Sequence, residues 1–230
     1  MTMGEHLRAW WEGKPSADCP AVRSAADFRP PFPRILYLEA TNACNASCFM
    51  CPREKMTRPQ ATMGLPLFDR LLRESREMGV PEIRLHNFGE PMLDRNLPEK
   101  IRLVKQGGQA CKLYTNGALL TEEILDTGLD ELFISFDGPP EEEYRRVKAG
   151  SLEYREVLDR ILALLSRKRE RKLERPAIEL IGRIDPSSDK AVRAFLDFWE
   201  GERRRLGDHT YRARVGGVHD WAGAHPVERR

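Results

Sequence analysis

The sequence predicts an α/β fold, a partial (β/α)6 TIM-like barrel with parallel strands, from three observations. From Arg34 onward, short β-rich runs alternate with longer runs of helical period, which argues for parallel strands joined by right-handed crossovers. Six such units are too few to close an eight-stranded barrel, leaving an open doubly wound sheet or a partial barrel. The two faces of the strands choose between them. One face reads Leu36, Leu38, Ile83, Leu85, Leu113, Leu132, Ile134, Phe136, Ile178 and Leu180. The other reads Tyr37, Glu39, Arg84, His86, Lys112, Tyr114, Ser135, Asp137, Glu179, Ile181 and Arg183. A strand covered by helices on both faces is nearly all apolar, so the apolar face is expected to meet the helices and the polar face to line a lumen.

The elements follow in order. Residues 1–33 read as an N-terminal extension and linker: HLRAWW could make one short helix, and SADCPAVRSAADFRPPFP is a Pro-rich connector. The barrel domain is expected over 34–216. RILYLEAT (34–41) is strand-like, and LFDRLLRESREMG (67–79) sets Phe68, Leu71, Leu72 and Met78 on one helical face before Gly79. PEIRLHNF (81–88) predicts a strand, LPEKIRLVKQGG (97–108) a helix with a glycine stop, and QACKLYTN (109–116) a strand. TEEILDTG (121–128) predicts a short helix capped by Thr121. DELFISFD (130–137) is a strand, and the longest helix is EYREVLDRILALLSRKRER (153–171), with Tyr154, Val157, Leu158, Ile161 and Leu165 at helical spacing. AIELIGR (177–183) predicts a strand, SSDKAVRAFLDFWEG (187–201) a helix and HTYRARV (209–215) a weaker strand. No internal repeat is evident.

Composition narrows the function classes. Lys plus Arg total 38 against 36 Asp plus Glu, a net charge of +2, which gives no electrostatic reason to expect nucleic acid or an anionic membrane as partner. Charged residues make up 32% of the chain, and no apolar run approaches the roughly 18 residues of a membrane span. MTMGEHLRAWWEGK lacks the apolar core of a secretory signal. The expectation is a soluble, cytoplasmic protein with reduced thiols, in which clustered cysteines mean metal or catalysis rather than disulfides.

Three of the five cysteines fall in TNACNASCFMCPRE (41–54), at Cys44, Cys48 and Cys51, just after the first strand. Active sites of βα folds are built on that side. Three is the wrong number for a closed zinc site, and Cys19 and Cys111 are single and distant in sequence. A four-iron cluster accepts three thiolates and leaves its fourth iron for a non-protein ligand. A zinc knuckle completed by a histidine is the plainer alternative. With it stands a non-catalytic iron-sulfur or zinc-binding protein serving electron transfer or structure.

Here the chain resembles the radical S-adenosylmethionine (radical SAM) enzymes. CNASCFMC is similar to their CxxxCxxC signature, FGEP (88–91) to the stretch after the second strand, TNG (115–117) to the end of the third, and SFDG (135–138) to the turn after the fourth. The resemblance runs from about Arg34 to Val215, and it looks most like the SPASM branch. It implies metal ligands Cys44, Cys48 and Cys51 for a [4Fe-4S] cluster whose open iron is chelated by S-adenosyl-L-methionine. Reductive cleavage of that cofactor then yields a 5′-deoxyadenosyl radical, which abstracts hydrogen from a substrate. It further implies cofactor contacts at Met50, beside adenine; at Gly89 and Glu90, toward the methionine amino group; and at Asn116, Ser135 and Asp137. Two departures stand out. Phe88 replaces the usual first glycine, and Lys148 stands where relatives often carry an arginine for the cofactor carboxylate, with Arg146 the other candidate. Lysine offers a point charge without a bidentate fork.

His86, Lys112, Tyr114 and Arg183 occupy the expected polar lumen and are candidate substrate contacts. The implied substrate is a small polar molecule, a sugar or aminocyclitol, or a peptide, with an external one-electron donor of flavodoxin or ferredoxin type as partner. Cys111 reads as an inert core residue, SRKRERKLER (166–175) as a solvated helix end, and His209, His219 and His225 have no metal-ligand spacing. Trp10 and Trp11 read as a packed terminal helix. SPASM-branch relatives continue into a cysteine-rich domain that has no counterpart after Val215. Residues 217–230 therefore read as a tail, either of a naturally short member or, as the lack of any evident element favours, the start of a truncated extension.

Overall fold

A computed structural model describes residues 33–185 and 187–216. The expected HLRAWW helix, Cys19, His219, His225 and the 217–230 tail lie outside the described residues. The elements run β1 (Ile35–Tyr37), α1 (Leu65–Glu77), β2 (Glu82–Arg84), α2 (Leu97–Gln106), β3 (Ala110–Thr115), β4 (Glu131–Ser135), α3 (Glu141–Lys148), α4 (Tyr154–Glu170), β5 (Ala177–Gly182), α5 (Asp189–Leu206) and β6 (Tyr211–Val215). Single 3-10 turns occur at Pro52–Lys55, Pro91–Leu93 and Glu122–Asp126.

All six strands are parallel and lie in one sheet in the order β1-β2-β3-β4-β5-β6. That order decides between the two α/β architectures. A doubly wound sheet reverses its strand order midway to place helices on both faces. A strictly sequential order with right-handed crossovers keeps the helices on one face and leaves the other as a lumen. The sequence pattern agrees with this arrangement: Leu38, Ile83, Leu85, Leu113, Leu132, Ile134, Phe136, Ile178 and Leu180 are all at most 5% exposed. They form one core with Phe68 and Leu72 of α1, Ile101 and Val104 of α2, Val157, Ile161 and Leu165 of α4, and Phe195 and Trp199 of α5. Each such side chain contributes roughly 1.5–3 kcal/mol by leaving water.

Several elements differ from expectation for physical reasons. β1 and β2 are three residues each. Beyond them the chain still donates across, Leu38 N–H to Arg84 O at 2.8 Å and Ala40 N–H to Leu85 O at 3.2 Å, while splaying into loops. Thr121 makes no side-chain cap, and the segment it opens is a 3-10 turn. The helix expected to stop at Gly201 continues to Leu206. Glu200 and Glu202 pair with Arg203, Arg204 and Arg205 at helical spacing across that point, which supports the extra turn. Met78, expected on the buried face of α1, is half exposed. Helix α3 was not anticipated. Only Tyr144 and Val147 of EEEYRRVK are buried apolar residues, too few for a visible period. Three glutamates in its first turn and Arg145, Arg146 and Lys148 in its last suit its dipole.

Candidate active site

The loops that leave the strand ends close on the Cys44–Cys51 segment from three sides. Upstream, Thr41 bridges Thr62, and Met63 N–H donates to Ala40 O at 2.9 Å. The buried Lys100 ammonium anchors this flank, 2.5 Å from both Met63 O and Asp94 Oδ2. Glu90 N–H donates to Ala43 O at 2.8 Å. The approach there is close enough that a Cβ on Gly89 would lie 1.9 Å from Thr41 O and 2.8 Å from Ala43 O, so only glycine fits. From the far side, the end of α3 supplies Val147 O, which accepts the Phe49 N–H at 3.1 Å. Ser151 Oγ accepts the Ser47 N–H at 3.0 Å and donates to Lys148 O at 2.5 Å. Nothing in the sequence singled out Ser151.

Glu90 is 2% exposed. Its Oε1 accepts from Met92 N–H at 3.0 Å and Thr115 Oγ1 at 2.8 Å, and its Oε2 from Asn116 N–H at 2.7 Å. Burial holds its carboxyl above the usual range, against the pull of these donors. Asn116 reaches on to the cysteine loop, its Nδ2 donating to Asn45 Oδ1 at 2.8 Å.

A cavity of about 450 Å³ opens at this convergence, within the roughly 300–1,000 Å³ of small-molecule sites. Cys44, Cys48, Cys51 and Met50 line it, as do Gly89, Glu90, Asn116, Ser135 and Lys148. His86, Tyr114 and Arg183 line it too, together with Tyr37, Arg84 and Thr115, which were not chosen from the sequence although the first two lie on the predicted polar face. Three candidates are placed elsewhere. Lys112 is held between Glu82 Oε2 at 3.1 Å and Glu131 Oε1 at 2.8 Å, toward the strand starts. The Arg146 guanidinium pairs with Glu143 at 2.8 Å and lies 5.3 Å over the Phe49 ring. Asp137 is wholly buried behind the wall, where its Oδ1 accepts the Arg183 N–H at 2.6 Å and its Oδ2 lies 2.9 Å from Lys148 Nζ.

The electrostatics follow from these contacts. Burial alone would lower the Lys148 ammonium, but Asp137 and Cys48 outweigh it and hold the group above its ordinary value; it also donates to Ser135 O at 3.0 Å. Burial raises the thiols of Cys44 and Cys48, with Lys148 opposing it at Cys48. Cys44, Cys48, Cys51 and Cys111 are all free thiols, and only Cys111 is buried, in the core.

The sequence profile of the Radical SAM superfamily matches residues 38–174, more than half of the chain. The chain belongs to the Radical SAM superfamily. It is 33% identical over 114 residues to a tungsten-containing aldehyde ferredoxin oxidoreductase cofactor-modifying protein of Pyrococcus furiosus, covering 46% of this chain and 32% of that protein. It is 29% identical over 130 residues to a probable GTP 3′,8-cyclase of Pyrococcus abyssi, covering 55% of this chain and 40% of that one. The chain thus spans well under half the length of these radical SAM relatives. Among solved structures, Streptococcus suis SuiB bound to its precursor peptide SuiA superposes with a TM-score of 0.67 at 13% identity, over 86% of this chain and 42% of SuiB. That likeness shows the partial-barrel fold.

Radical SAM enzymes use a [4Fe-4S] cluster and S-adenosylmethionine, and the residues present fit both groups. Three free thiols share one cavity, the donor set of a cube held at three corners. Among the described residues, no three His, Cys, Asp or Glu side chains gather tightly enough for a single metal ion. Beside the thiols, the Gly89 cradle and the Asn116 and Ser135 strand ends present backbone and side-chain polar groups to the same cavity, the kinds of group that a polar cofactor would need.

Proposed function

We propose that this chain holds a [4Fe-4S] cluster through Cys44, Cys48 and Cys51, cleaves S-adenosylmethionine reductively, and directs hydrogen abstraction onto a polar substrate, a sugar or aminocyclitol or a peptide. The observation that carries this reading is the shared cavity: three free thiols face strand-end loops from β2, β3 and β4 across one space. When bound, cluster and cofactor together supply the electron and the 5′-deoxyadenosyl radical.

The chain's own residues bind, orient and exclude. Gly89 and Glu90 offer main-chain oxygens to an ammonium. Asn116 and Ser135 offer an amide and a hydroxyl to the ribose and methionine end. Lys148, fixed by Asp137 and Ser135, offers a point charge to the methionine carboxylate. Met50, 8% exposed, gives an apolar side that keeps water from the adenine end. His86, Tyr114 and Arg183 face the substrate. An external flavodoxin- or ferredoxin-type donor would deliver the electron. We place the domain at 34–216, between the 1–33 extension and the 217–230 tail, in a cytoplasmic protein with no nucleic-acid or membrane partner; among the described residues no helix is long and apolar enough to cross a membrane. A non-catalytic iron-sulfur protein would need no such cavity beside its thiols.

Anaerobic reconstitution with iron and sulfide, then dithionite and S-adenosylmethionine, tests the reading. Brown protein that forms 5′-deoxyadenosine is expected. Colourless, iron-free protein, or zinc at the cysteine loop, would overturn it.

A further inference from the structure

The three cysteines of the loop are held by different parts of the fold. Beside Cys44, Ala43 O accepts the Glu90 N–H at 2.8 Å and Asn45 Oδ1 accepts from Asn116 Nδ2 at 2.8 Å, so the loops after β2 and β3 fix both of its neighbours. Cys51 opens the 3-10 turn Pro52–Lys55, and its own N–H donates back to Cys48 O at 3.0 Å. Cys48 is served from α3. Ser47 N–H donates to Ser151 Oγ at 3.0 Å and Phe49 N–H to Val147 O at 3.1 Å, one bond on each side of the cysteine. The Phe49 ring lies 5.3 Å from the Arg146 guanidinium, a third contact to the same helix end.

Helix α3 can act as a fixed point. Tyr144 and Val147 are wholly buried, and Lys148 reaches back to Ser135 O at 3.0 Å and Asp137 Oδ2 at 2.9 Å, which ties the helix to the end of β4. Past Lys148 the chain reverses through two left-handed residues, Ala149 at φ 49° and Gly150 at φ 67°. Alanine adopts that conformation rarely. Here the reversal lets Ser151 N–H and Oγ both reach Lys148 O, at 3.0 and 2.5 Å. A hydroxyl has one proton to give. With that proton committed to Lys148 O, the Ser151 oxygen is left to accept the Ser47 N–H.

We propose that the end of α3 is a clamp on Cys48, and that Ser151 is its positioning residue, setting where this sulfur meets the cluster. The inference rests on the function proposed above and deepens it. The same helix end carries Lys148, which lines the cavity with Cys48, so one anchored element places a cluster ligand and the cation offered to the cofactor relative to each other. Ser47 and Ser151 are exposed. Water can therefore take over the bonds of a missing hydroxyl at little cost to folding, and what is lost is the placement of the metal ligand.

Comparison of wild type with Ser151→Ala and Ser151→Thr tests it. Iodoacetamide treatment of iron-free protein at pH 8, read by fragment-ion mass spectrometry, gives the ratio of Cys48 to Cys44 alkylation. Ser151→Ala should raise that ratio by about two- to tenfold, the worth of one net hydrogen bond, with the urea midpoint almost unmoved. After anaerobic reconstitution the same variant should lose iron to a chelator faster by a similar factor. Ser151→Thr keeps the hydroxyl and should restore both readings. An unchanged ratio, unchanged iron loss, or changes that threonine does not restore would overturn the proposal. Hydrogen exchange of the cluster-loaded wild type, resolved to single amides by mass spectrometry, needs no variant: Ser47 and Phe49 should be protected, and exchange at the rate of an open loop would also overturn it. Wild type that takes up no iron sinks the proposed function, while the alkylation ratio still decides the clamp. Deoxyadenosine formation with an unchanged ratio sinks the clamp alone.

Discussion

The Glu90 carboxylate accepts the Asn116 backbone N–H at 2.7 Å and so ties the loop after β2 to the loop after β3. Its other oxygen takes Thr115 and Met92. A residue expected to touch cofactor through its backbone thus also spends its side chain on aligning the next loop. Glutamine cannot replace it, because in either orientation its amide N–H₂ would face a donor. Glu90→Gln should destabilise the chain by about 1–3 kcal/mol, read as a lower urea midpoint, and weaken S-adenosylmethionine binding. An unchanged midpoint would show that the carboxylate does not join the loops.

Thiol chemistry should divide the cysteines by environment. Burial and the nearby Asp130 push the Cys111 thiol up to about 12, and the side chain lies wholly in the core. Native, iron-free protein treated with iodoacetamide at pH 8 should be alkylated at Cys44, Cys48 and Cys51 while Cys111 stays intact. Peptide mass spectrometry reads the pattern. Modification of Cys111 at a rate matching the others would contradict the burial.

The Lys148–Asp137 ion pair is buried on both sides. Removing one partner leaves a buried charge alone, so Lys148→Met and Asp137→Asn should each cost about 3–5 kcal/mol. The double variant should cost clearly less than the sum of the two. Additive losses in chemical denaturation would mean the groups are not coupled.

Stability should also depend on pH through His86. Burial, helped by Arg84, lowers its imidazole from 6.5 to about 4. The folded ring therefore stays neutral where the unfolded one takes up a proton. The contribution is present in full above pH 6.5 and is lost progressively as pH falls toward 4. His86→Asn, which keeps an acceptor for the Tyr114 N–H, should flatten the decline of the denaturation midpoint between pH 7 and 5. An identical slope in both proteins would assign the decline to other groups.

Much of the cavity lining was legible because it lies in short local motifs, which the resemblance to radical SAM enzymes picked out. Cys44, Cys48 and Cys51, GEP, TNG and SFD sit at strand ends that the alternating pattern locates without any partner. Asp137 shows where that reasoning stops. From the strand it looks like a lumen group beside Ser135, but β4 ends at Ser135, and the Asp137 carboxylate goes to Lys148 and the Arg183 backbone. Lys112 likewise alternates correctly onto the inner face, yet strand register sets it against Glu131 and near Glu82, which neutralise it. Ser151 gave no signal at all, since its role depends on α3 delivering it to Ser47.

By itself, the sequence determined the six βα units, the apolar and polar faces of the strands, and the three-thiol loop. Each is a matter of backbone period or near-neighbour spacing, which the chain carries wherever it folds. Only the tertiary structure decided that the strands follow one another in order, which leaves one sheet face as a lumen, and which inner side chains reach the cavity. Those outcomes depend on register and loop closure between residues tens of positions apart. There a cation such as Lys112 is claimed by whichever carboxylate the fold brings nearest, and no local pattern records that choice.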